Sequence, residues 1–495
     1  MSRDSNLDRA LVSGIAWTAI LRWSAQGVSW IATFLAARLL LPADYGIVSM
    51  ATLGIGFLRM VEDFGLDSIL VQDRSIQGRE QARLAGLILA TGVVFCLAFL
   101  ALAHSIAGFF KEPQVAGAIA ALSLLFVTDA LQVVPRAALQ RNLEFRRFAA
   151  LTLVQVVATQ VVLIASAAGG WGFWSLVASS LAGAIAVTVT LIVWRPYAVA
   201  WPRELASLAR PLLQGWRVIA GRIAYYFFTS GDQWIVGRML GKESLGIYNF
   251  AQTFGNLPLQ EVTAIVSRVV PGVFSESQQD RAKLRHYFLL LTRFVACLTV
   301  PLAIGLALTA DLVVHLALGP KWEGVIAPLR LLCLYAAFQG CQVLVAHVLM
   351  WTGRFRAIMW CTVLAAVVMP AGFYLAAGKG LVGIAVVWVV LYPIANMPAL
   401  ILGLQTVSVS IRGWLAALSP SLFAALAMTV AVLAVRRMLP AYPVPVTLAL
   451  VSGSGALVYA AVLWLAFRRE TLEMVNFVRN VRAHRAPTAP APANP

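Results

Sequence analysis

An all-α protein that crosses a membrane many times is the fold class this sequence predicts, and three observations carry it. Apolar residues fill 60% of the 495 positions against 12% charged, and the mean hydropathy is +0.82, far from the balance of a water-soluble domain. Runs of roughly 20 apolar residues, the length a helix needs to cross hydrocarbon, recur along nearly the whole chain. These runs are long and lack strict apolar/polar alternation, which excludes a β-barrel.

In chain order the pattern predicts about fourteen spans. They fall near residues 13–40, 43–67, 84–109, 114–135, 148–169, 172–194, 212–237, 244–270, 287–309, 323–350, 357–377, 380–404, 413–435 and 445–467. The first is too long for a signal-peptide core and contains Arg22 and Arg38, so it is expected to be retained. Proline inside spans, including Pro258, Pro301, Pro328, Pro370 and Pro393, offers bending points of a kind membrane helices use routinely. After the last span, TLEMVNFVRNVRAHR is expected to form a basic amphipathic helix on the inner leaflet, and RAPTAPAPANP a disordered tail.

The net charge of +17 raises the question of a nucleic-acid partner, and its distribution answers it. With a cytoplasmic N-terminus, the cytoplasmic loops and tails hold about 25 Lys and Arg against about 7 opposite, a strong positive-inside bias. The clusters Arg74, Arg79 and Arg83, then Arg136, Arg141, Arg146 and Arg147, then Arg281, Lys283 and Arg285 set that orientation. Membrane topology thus accounts for the charge, and no nucleic acid is expected. Both termini are expected in the cytoplasm of a multi-pass protein. The five cysteines, Cys96, Cys297, Cys333, Cys341 and Cys361, sit inside predicted spans with no CxxC or His pairing, as small core residues do.

The chain carries an internal repeat at an offset of 200 residues. AARLLLPADYGI (36–47) resembles VGRMLGKESLGI (236–247), matching Arg38 to Arg238, Leu40 to Leu240, Gly46 to Gly246 and Ile47 to Ile247, while Arg22 meets Arg222. Six spans separate the copies, an even number, so both halves insert in the same orientation. The expected organisation is two pseudo-symmetric six-helix lobes, 1–205 and 206–408, then a helix pair at 409–468 and a cytoplasmic segment and tail at 469–495.

No loop outside the spans can hold a catalytic domain, and the longest outer one is roughly a dozen residues, near 309–322. There is no Gly-rich nucleotide loop ending in Lys-Ser or Lys-Thr, no metal-ligand cluster and no Ser/His/Asp set. Neither an enzyme nor a bound cofactor or metal is expected. What remains is a set of ionisable residues within spans: Arg22, Arg59, Glu62, Asp63, Asp129, Arg222, Asp232, Glu261, Arg293 and Arg330. Each costs at least a few kcal/mol if isolated in lipid, so each should face a partner or a watery cavity.

In FLRMVEDFGLDSILVQ (57–72), Arg59 stands i,i+3 from Glu62 and i,i+4 from Asp63, so both acids can meet it on one helix face. The cluster is either a self-neutralised patch near the cytoplasmic interface or the inner mouth of a cavity with exchangeable gating bridges. Arg22 lies about 15 Å into span one, as a structural arginine paired with Asp129 or Asp63, or as an anion ligand opposite Arg222. Two guanidinium forks suit a pyrophosphate. Asp232 either accepts from Arg238 or takes part in cation or proton coupling. His347 is a packed histidine or a proton carrier.

At four places the sequence resembles Wzx-type polysaccharide flippases of the multidrug/oligosaccharidyl-lipid/polysaccharide exporter superfamily, most of all the colanic acid exporter-like branch. The matches are SGIAWTAI (13–20) with AARLLLPADYGIVSMA (36–51) and DFGLDSILVQ (63–72), PRAALQRNLEFRRFA (135–149), DQWIVGRMLGKESLGIYNFAQ (232–252) and GPKWEGVIAPLRLLCL (319–334). The resemblance implies a bacterial inner-membrane protein that moves undecaprenyl-pyrophosphate-linked oligosaccharide units between leaflets through a V-shaped cavity. A periplasmic polymerase and a chain-length regulator are the implied partners besides membrane lipids. On that footing Arg22 and Arg222 would contact pyrophosphate, with Arg59, Arg293 or Arg330 assisting, and Glu62, Asp63, Asp129, Asp232 and Arg238 would serve gating or coupling. Trp17, Trp23, Trp30, Tyr225 and Tyr226 offer stacking faces for sugars. Two alternatives remain at this point: a multidrug cation antiporter of the same superfamily, which favours an acidic cavity, and a membrane-embedded polysaccharide polymerase.

Overall fold

The computed structural model describes residues 24–62, 78–142, 144–201, 209–277, 280–439 and 442–483. Among these residues there are helices and no strand. In chain order they are α1 (Ser24–Leu39), α2 (Pro42–Glu62), α3 (Gly78–Phe110), α4 (Gln114–Leu122), α5 (Leu124–Arg141), α6 (Phe145–Ala168), α7 (Phe173–Trp194) and α8 (Ala209–Ser277). There follow α9 (Arg281–Ala317), a 3-10 turn at Pro320–Val325, α10 (Ile326–Trp351), α11 (Phe355–Ala376), a second turn at Ala377–Lys379, α12 (Gly380–Thr406), α13 (Ile411–Met438), α14 (Val444–Ala466) and α15 (Arg468–Ala483).

Nine described segments are long and apolar enough to cross a membrane, ten if α1 and α2, bent by 119° at their junction, form one span. This is a multi-span helical membrane protein. The expected number of about fourteen spans is not reached by hydropathy alone: Phe355–Thr406 counts as one segment of 52 residues where two spans were expected, and two further reasons apply. The first expected span begins outside the described residues, and α8, at the positions of the seventh and eighth, carries Arg222, Asp232, Arg238 and Lys242 along its length. α8 is two helical arms that turn at Gly241, whose φ of 84° suits glycine and strains any residue with a Cβ. Pro301, Pro370 and Pro393 lie inside α9, α11 and α12, where neighbouring helices can satisfy the freed carbonyls.

The chain forms two compact units. The first comprises Met1–Asn249 with Ala317–Trp322 and Pro370–Leu381, and the second Phe250–Leu316 with Glu323–Met369 and Val382–Pro495. Within the first, α3 and α5 bury Ala85, Ile88, Ala130 and Val134 together. Gln132 of α5 donates to the Ala184 carbonyl and to Thr188 Oγ1 of α7 at 3.2 and 2.9 Å, which satisfies a buried amide between helices. Within the second unit, α9, α10, α12, α13 and α14 share one core that includes Phe288, Val295, Leu344, Leu404, Met428 and Val451. Tyr459 of α14 donates to the Cys297 carbonyl of α9 at 3.0 Å, and His347 bonds the Val343 carbonyl one turn back at 2.9 Å, the packed arrangement. The amphipathic segment forms α15, which seats Met474 and binds α9 through Glu473 and Arg293 at 3.1 Å; the tail beyond residue 483 lies outside the described residues.

The arginine-rich end of the first unit is held by a small clamp. Glu144, between α5 and α6, accepts from Arg147 at 2.7 Å and from Arg195 at the end of α7. Beyond it Tyr197 donates to the Leu131 carbonyl at 2.9 Å and Ala200 N to the Ala82 carbonyl at 2.9 Å, so the segment after α7 is strapped across α3 and α5. Burial alone would raise the Glu144 pKa, but the hydrogen bond and charge of Arg195, with Arg147, outweigh it and hold the carboxyl below its usual range. A depressed folded pKa gives stability that is complete above the unfolded value of about 4.3 and fades as pH falls through the lower folded value. Arg195→Gln should therefore lower the melting temperature of the purified protein near neutral pH, by an amount equivalent to at most about 1 kcal/mol. In thermal-shift assays across pH, the difference from the parent should shrink as pH falls below the ordinary carboxylate range.

Candidate functional site

Two features of the first unit stand out, one toward the arginine-rich end of the helices and one at the opposite end. The first is a cationic face. Arg59 on α2 forms an ion pair with Asp129 on α5, both side chains close to half exposed, 46% and 40%. An ion pair open to hydrocarbon is strongly unfavourable, and water or lipid headgroups are the surroundings that relieve that cost. An aqueous pair of that exposure is worth only about 0–1 kcal/mol and exchanges readily with another anion.

Beside it, α2 packs on the first arm of α8. Tyr226 donates to the Leu53 carbonyl at 2.5 Å, its ring is 3.2 Å from where a Cβ on Gly56 would stand, and Phe57 meets Tyr226 and Phe227 at 6.1 and 5.9 Å. One turn from this contact each helix carries an arginine. Arg59 follows Gly56 by three residues and Arg222 precedes Tyr226 by four, about 4.5 and 6 Å of rise. Since α2 and α8 run in opposite directions here, those two steps lead to the same level. Arg136, seven residues and two turns after Asp129 on α5, feels the charge of that carboxylate, and its Nε is buried without a hydrogen-bond partner among the described residues. Three guanidinium groups thus lie on α2, α5 and α8 with one described acid among them.

Arg136 entered the sequence reading only as part of a topological charge cluster. The i,i+7 spacing from Asp129, which puts two ionisable groups on one face of a span, was the signal that could have singled it out. Of the other residues proposed from sequence, Arg22 and Asp63 lie outside the described residues, as does the side chain of Glu62. Among the described side chains Arg59 pairs with Asp129, on another helix, so Asp129 is engaged where a pairing with Arg22 was one option.

The second feature is a seam between the two repeat motifs. A Cβ on Gly46 would lie 1.7 Å from the Lys242 carbonyl oxygen, and one on Gly246 would lie 1.9 Å from the Pro42 carbonyl oxygen. At the 200-residue offset these are the same contact twice, 46 on 242 and 246 on 42, as a local two-fold relation requires. Ser49 and Asn249, also equivalent, bond at 2.6 Å. Around the seam Lys242 pairs with Glu112 at 3.0 Å, Trp322 Nε1 donates to the Ala37 carbonyl at 2.8 Å and Lys321 Nζ to the Arg38 carbonyl at 3.3 Å. Asp44 closes the junction by accepting from Leu41 N at 2.9 Å, one arm of a capping box.

Between seam and cationic face, Asp232 is fully buried and accepts from Tyr248 at 2.7 Å and from Gln233 N at 2.8 Å. Tyr248 stands in the position that the sequence offered to Arg238, whose guanidinium instead lies over the Phe109 ring at 5.4 Å. The pair ties the two arms of α8 together across Gly241. In the second unit Arg293 pairs with Glu473, and Arg330 with Asp311, which also binds Arg436. Arg293 and Asp311 are eighteen positions apart on α9, about 27 Å of rise, so these two arginines serve separate ends of that helix.

These elements define a multi-span helical membrane protein whose ionisable side chains meet partners on neighbouring helices. A family model described as polysaccharide biosynthesis protein matches residues 35–327, more than half of the chain, and the chain belongs to that family. It is 28% identical over 334 residues to the lipopolysaccharide biosynthesis protein WzxC of Escherichia coli (strain K12), covering 66% of this chain and 67% of that one. With the succinoglycan biosynthesis transport protein ExoT of Rhizobium meliloti (strain 1021) it shares 24% identity over 77% of each chain. Among solved structures, the lipid II flippase MurJ in an inward closed conformation matches with a TM-score of 0.73 over 91% of this chain and 99% of that one, at 14% identity. An inward-facing multidrug resistance MATE family transporter of the MOP superfamily matches at 0.56 over 79% and 98%, at 15%. At these identities the likeness is one of fold, and the Wzx-type resemblance read from the motifs stands.

The seam gives a direct prediction. An alanine at 46 or 246 forces two backbones apart by well over 1 Å, since carbon contacts settle at about 3.5–4.0 Å. In a background lacking the five native cysteines, a cysteine at Asn249 should react several-fold faster with a water-soluble maleimide in Gly46→Ala than in its parent, and Gly246→Ala should behave the same way. Unchanged rates in both would mean that the seam is not closed in the membrane.

Proposed function

We propose that this protein is a flippase for lipid-linked oligosaccharide repeat units. It would move undecaprenyl-pyrophosphate-bearing sugars from the cytoplasmic to the periplasmic leaflet of a bacterial inner membrane, for exopolysaccharide, capsule or O-antigen synthesis. The observation that carries the reading is the cationic face on which Arg59 pairs with Asp129, Arg136 feels the same carboxylate and Arg222 stands level with Arg59, inside a chain of the polysaccharide biosynthesis family with a MurJ-like fold. A sugar pyrophosphate cannot cross hydrocarbon unaided, whereas arginine forks in a wet site can hold it bidentately while its prenyl tail stays in lipid. An organic cation would be repelled by the same face, which sets the drug-antiporter reading aside.

In this reading the arginine-rich loops face the cytoplasm. Exchange of the weak Arg59–Asp129 pair for pyrophosphate admits cargo, and the seam at Gly46 and Gly246 is the opposite closure, which must part for release by alternating access. The reciprocal seam supports the proposed repeat of two lobes, 1–205 and 206–408, followed by 409–468 and 469–495. Arg22 joins Arg222 and Arg59 as a pyrophosphate ligand, with Arg293 and Arg330 as assisting cations that would first have to leave their carboxylates. Glu62, Asp63, Asp129, Asp232 and Arg238 take the gating and coupling roles. A periplasmic polymerase and chain-length regulator would receive the product.

In cells deleted for this protein, pyrophosphate-linked repeat units should accumulate on the cytoplasmic face of the inner membrane. Complementation with Arg59→Ala, Arg222→Ala or Arg22→Ala at equal expression should restore less than about a tenth of polymer export, a loss of at least 1.4 kcal/mol in effective binding. Asp129→Asn, which frees Arg59 without removing it, should retain more activity than Arg59→Ala. Repeat units that reach the periplasm normally but stay unpolymerised would defeat the flippase reading; full export by all three arginine variants would defeat the ligand assignment alone.

A further inference from the structure

In the second unit, between the first turns of α11 and the last turns of α12, lies an apolar groove of about 560 Å³. Ala357 and Trp360 form one wall; Ile394, Met397, Ile401 and Gln405 form the other. Trp360 and Ile394 are 66% and 61% exposed, so the groove is open and unfilled by the chain. Pro398, inside α12, lines it. Ile394 to Gln405 is eleven residues, about 16 Å of rise, or close to half of a hydrocarbon core of about 30 Å. The groove is one leaflet deep.

Its mouth is cationic and has no acid of its own. Arg354 and Arg356 flank Phe355 at the start of α11, next to Ala357, while Arg412 opens α13 six residues after the end of α12. The turn that sets Arg412 in place is well determined, with Val409 N bonded to the Leu404 carbonyl at 2.9 Å and Gly413 N to Ser410 Oγ at 3.1 Å. All three arginines are exposed, and none makes an ion pair or side-chain hydrogen bond among the described residues. No Asp or Glu occurs anywhere from residue 324 to residue 469. Three unneutralised guanidinium groups on the residues that flank the lining of a leaflet-deep apolar groove in the chain match one chemistry, a phosphate ester carrying an acyl chain.

We propose that this groove is a binding site for an anionic glycerophospholipid of the surrounding leaflet, with one acyl chain along Ile394–Gln405 and the phosphate on Arg354, Arg356 and Arg412. The depth selects an acyl chain over the far longer prenyl tail of the proposed cargo. The rim selects an anionic headgroup, since a zwitterionic lipid would present a cation to three arginines. The site is separate from the cationic face on α2, α5 and α8 and does not depend on the flippase reading.

Native mass spectrometry of the full-length protein, titrated with phosphatidylglycerol or phosphatidylcholine in detergent, tests it. Phosphatidylglycerol should bind at least ten-fold more tightly than phosphatidylcholine. That preference should be lost in the triple variant Arg354→Gln, Arg356→Gln, Arg412→Gln, and binding should fall at least five-fold in Ala357→Trp, which fills the groove with the charges intact. Ile401→Trp, at the opposite wall, replaces Ala357→Trp should that variant not elute as the parent does. Equal affinity for the two lipids, an unaltered triple variant, or full displacement of phosphatidylglycerol by inorganic pyrophosphate would overturn the proposal. So would displacement by undecaprenyl phosphate at lower concentration than by phosphatidylglycerol, which would make the groove a cargo-tail site.

Discussion

An ionised side chain stranded among lipid-facing helices costs at least about 2.5 kcal/mol, and the architecture is organised around meeting that cost. Five of the pairs join different elements. Arg59 of α2 meets Asp129 of α5, Lys242 of α8 meets Glu112 beside α4, Arg293 of α9 meets Glu473 of α15, and Asp311 of α9 gathers Arg330 of α10 and Arg436 of α13. Most of these pairs join segments more than a hundred residues apart. Helices that gain little from hydrophobic contact in lipid thus acquire specific neighbours.

The pairs are not equivalent. Asp311 is held by two arginines and is mostly covered, whereas Arg59 and Asp129 are close to half exposed. A transporter needs both kinds: fixed links keep the helices of a unit together, and a loosely held pair can be given up to an incoming anion. The seam works by a different force. Two glycines let backbones approach within carbonyl contact, so this contact depends on steric fit, and the neighbouring Lys242–Glu112 pair adds a weaker electrostatic component.

Much of the helical layout was legible because span length and hydropathy are properties of contiguous residues, and the family was legible because its motifs are local strings. The repeat was legible in the same way, through matching Arg38, Gly46 and Ile47 to Arg238, Gly246 and Ile247. Pairings were less so. Helical periodicity pointed Arg59 to Glu62 and Asp63 on its own helix, and among the described side chains it also meets Asp129, a partner 70 residues away that spacing along one helix cannot indicate. Likewise Asp232 takes Tyr248 across the turn at Gly241, a geometry that a left-handed backbone position creates and that spacing along a straight helix cannot anticipate.

The sequence by itself determined the membrane class, the placement of most spans, the arginine-rich end, the repeat and the family, since each follows from composition or from residues adjacent in the chain. Only the tertiary structure decided that Gly46 and Gly246 are the points where the two motifs touch, that Arg59 and Arg222 stand at one level, and that Arg293 and Arg330 are held at opposite ends of α9. It also showed an open apolar groove between α11 and α12, whose lining Arg354, Arg356 and Arg412 flank in the chain. The physical reason is common to all four: contact between helices depends on their relative rotation and depth, which no single segment encodes.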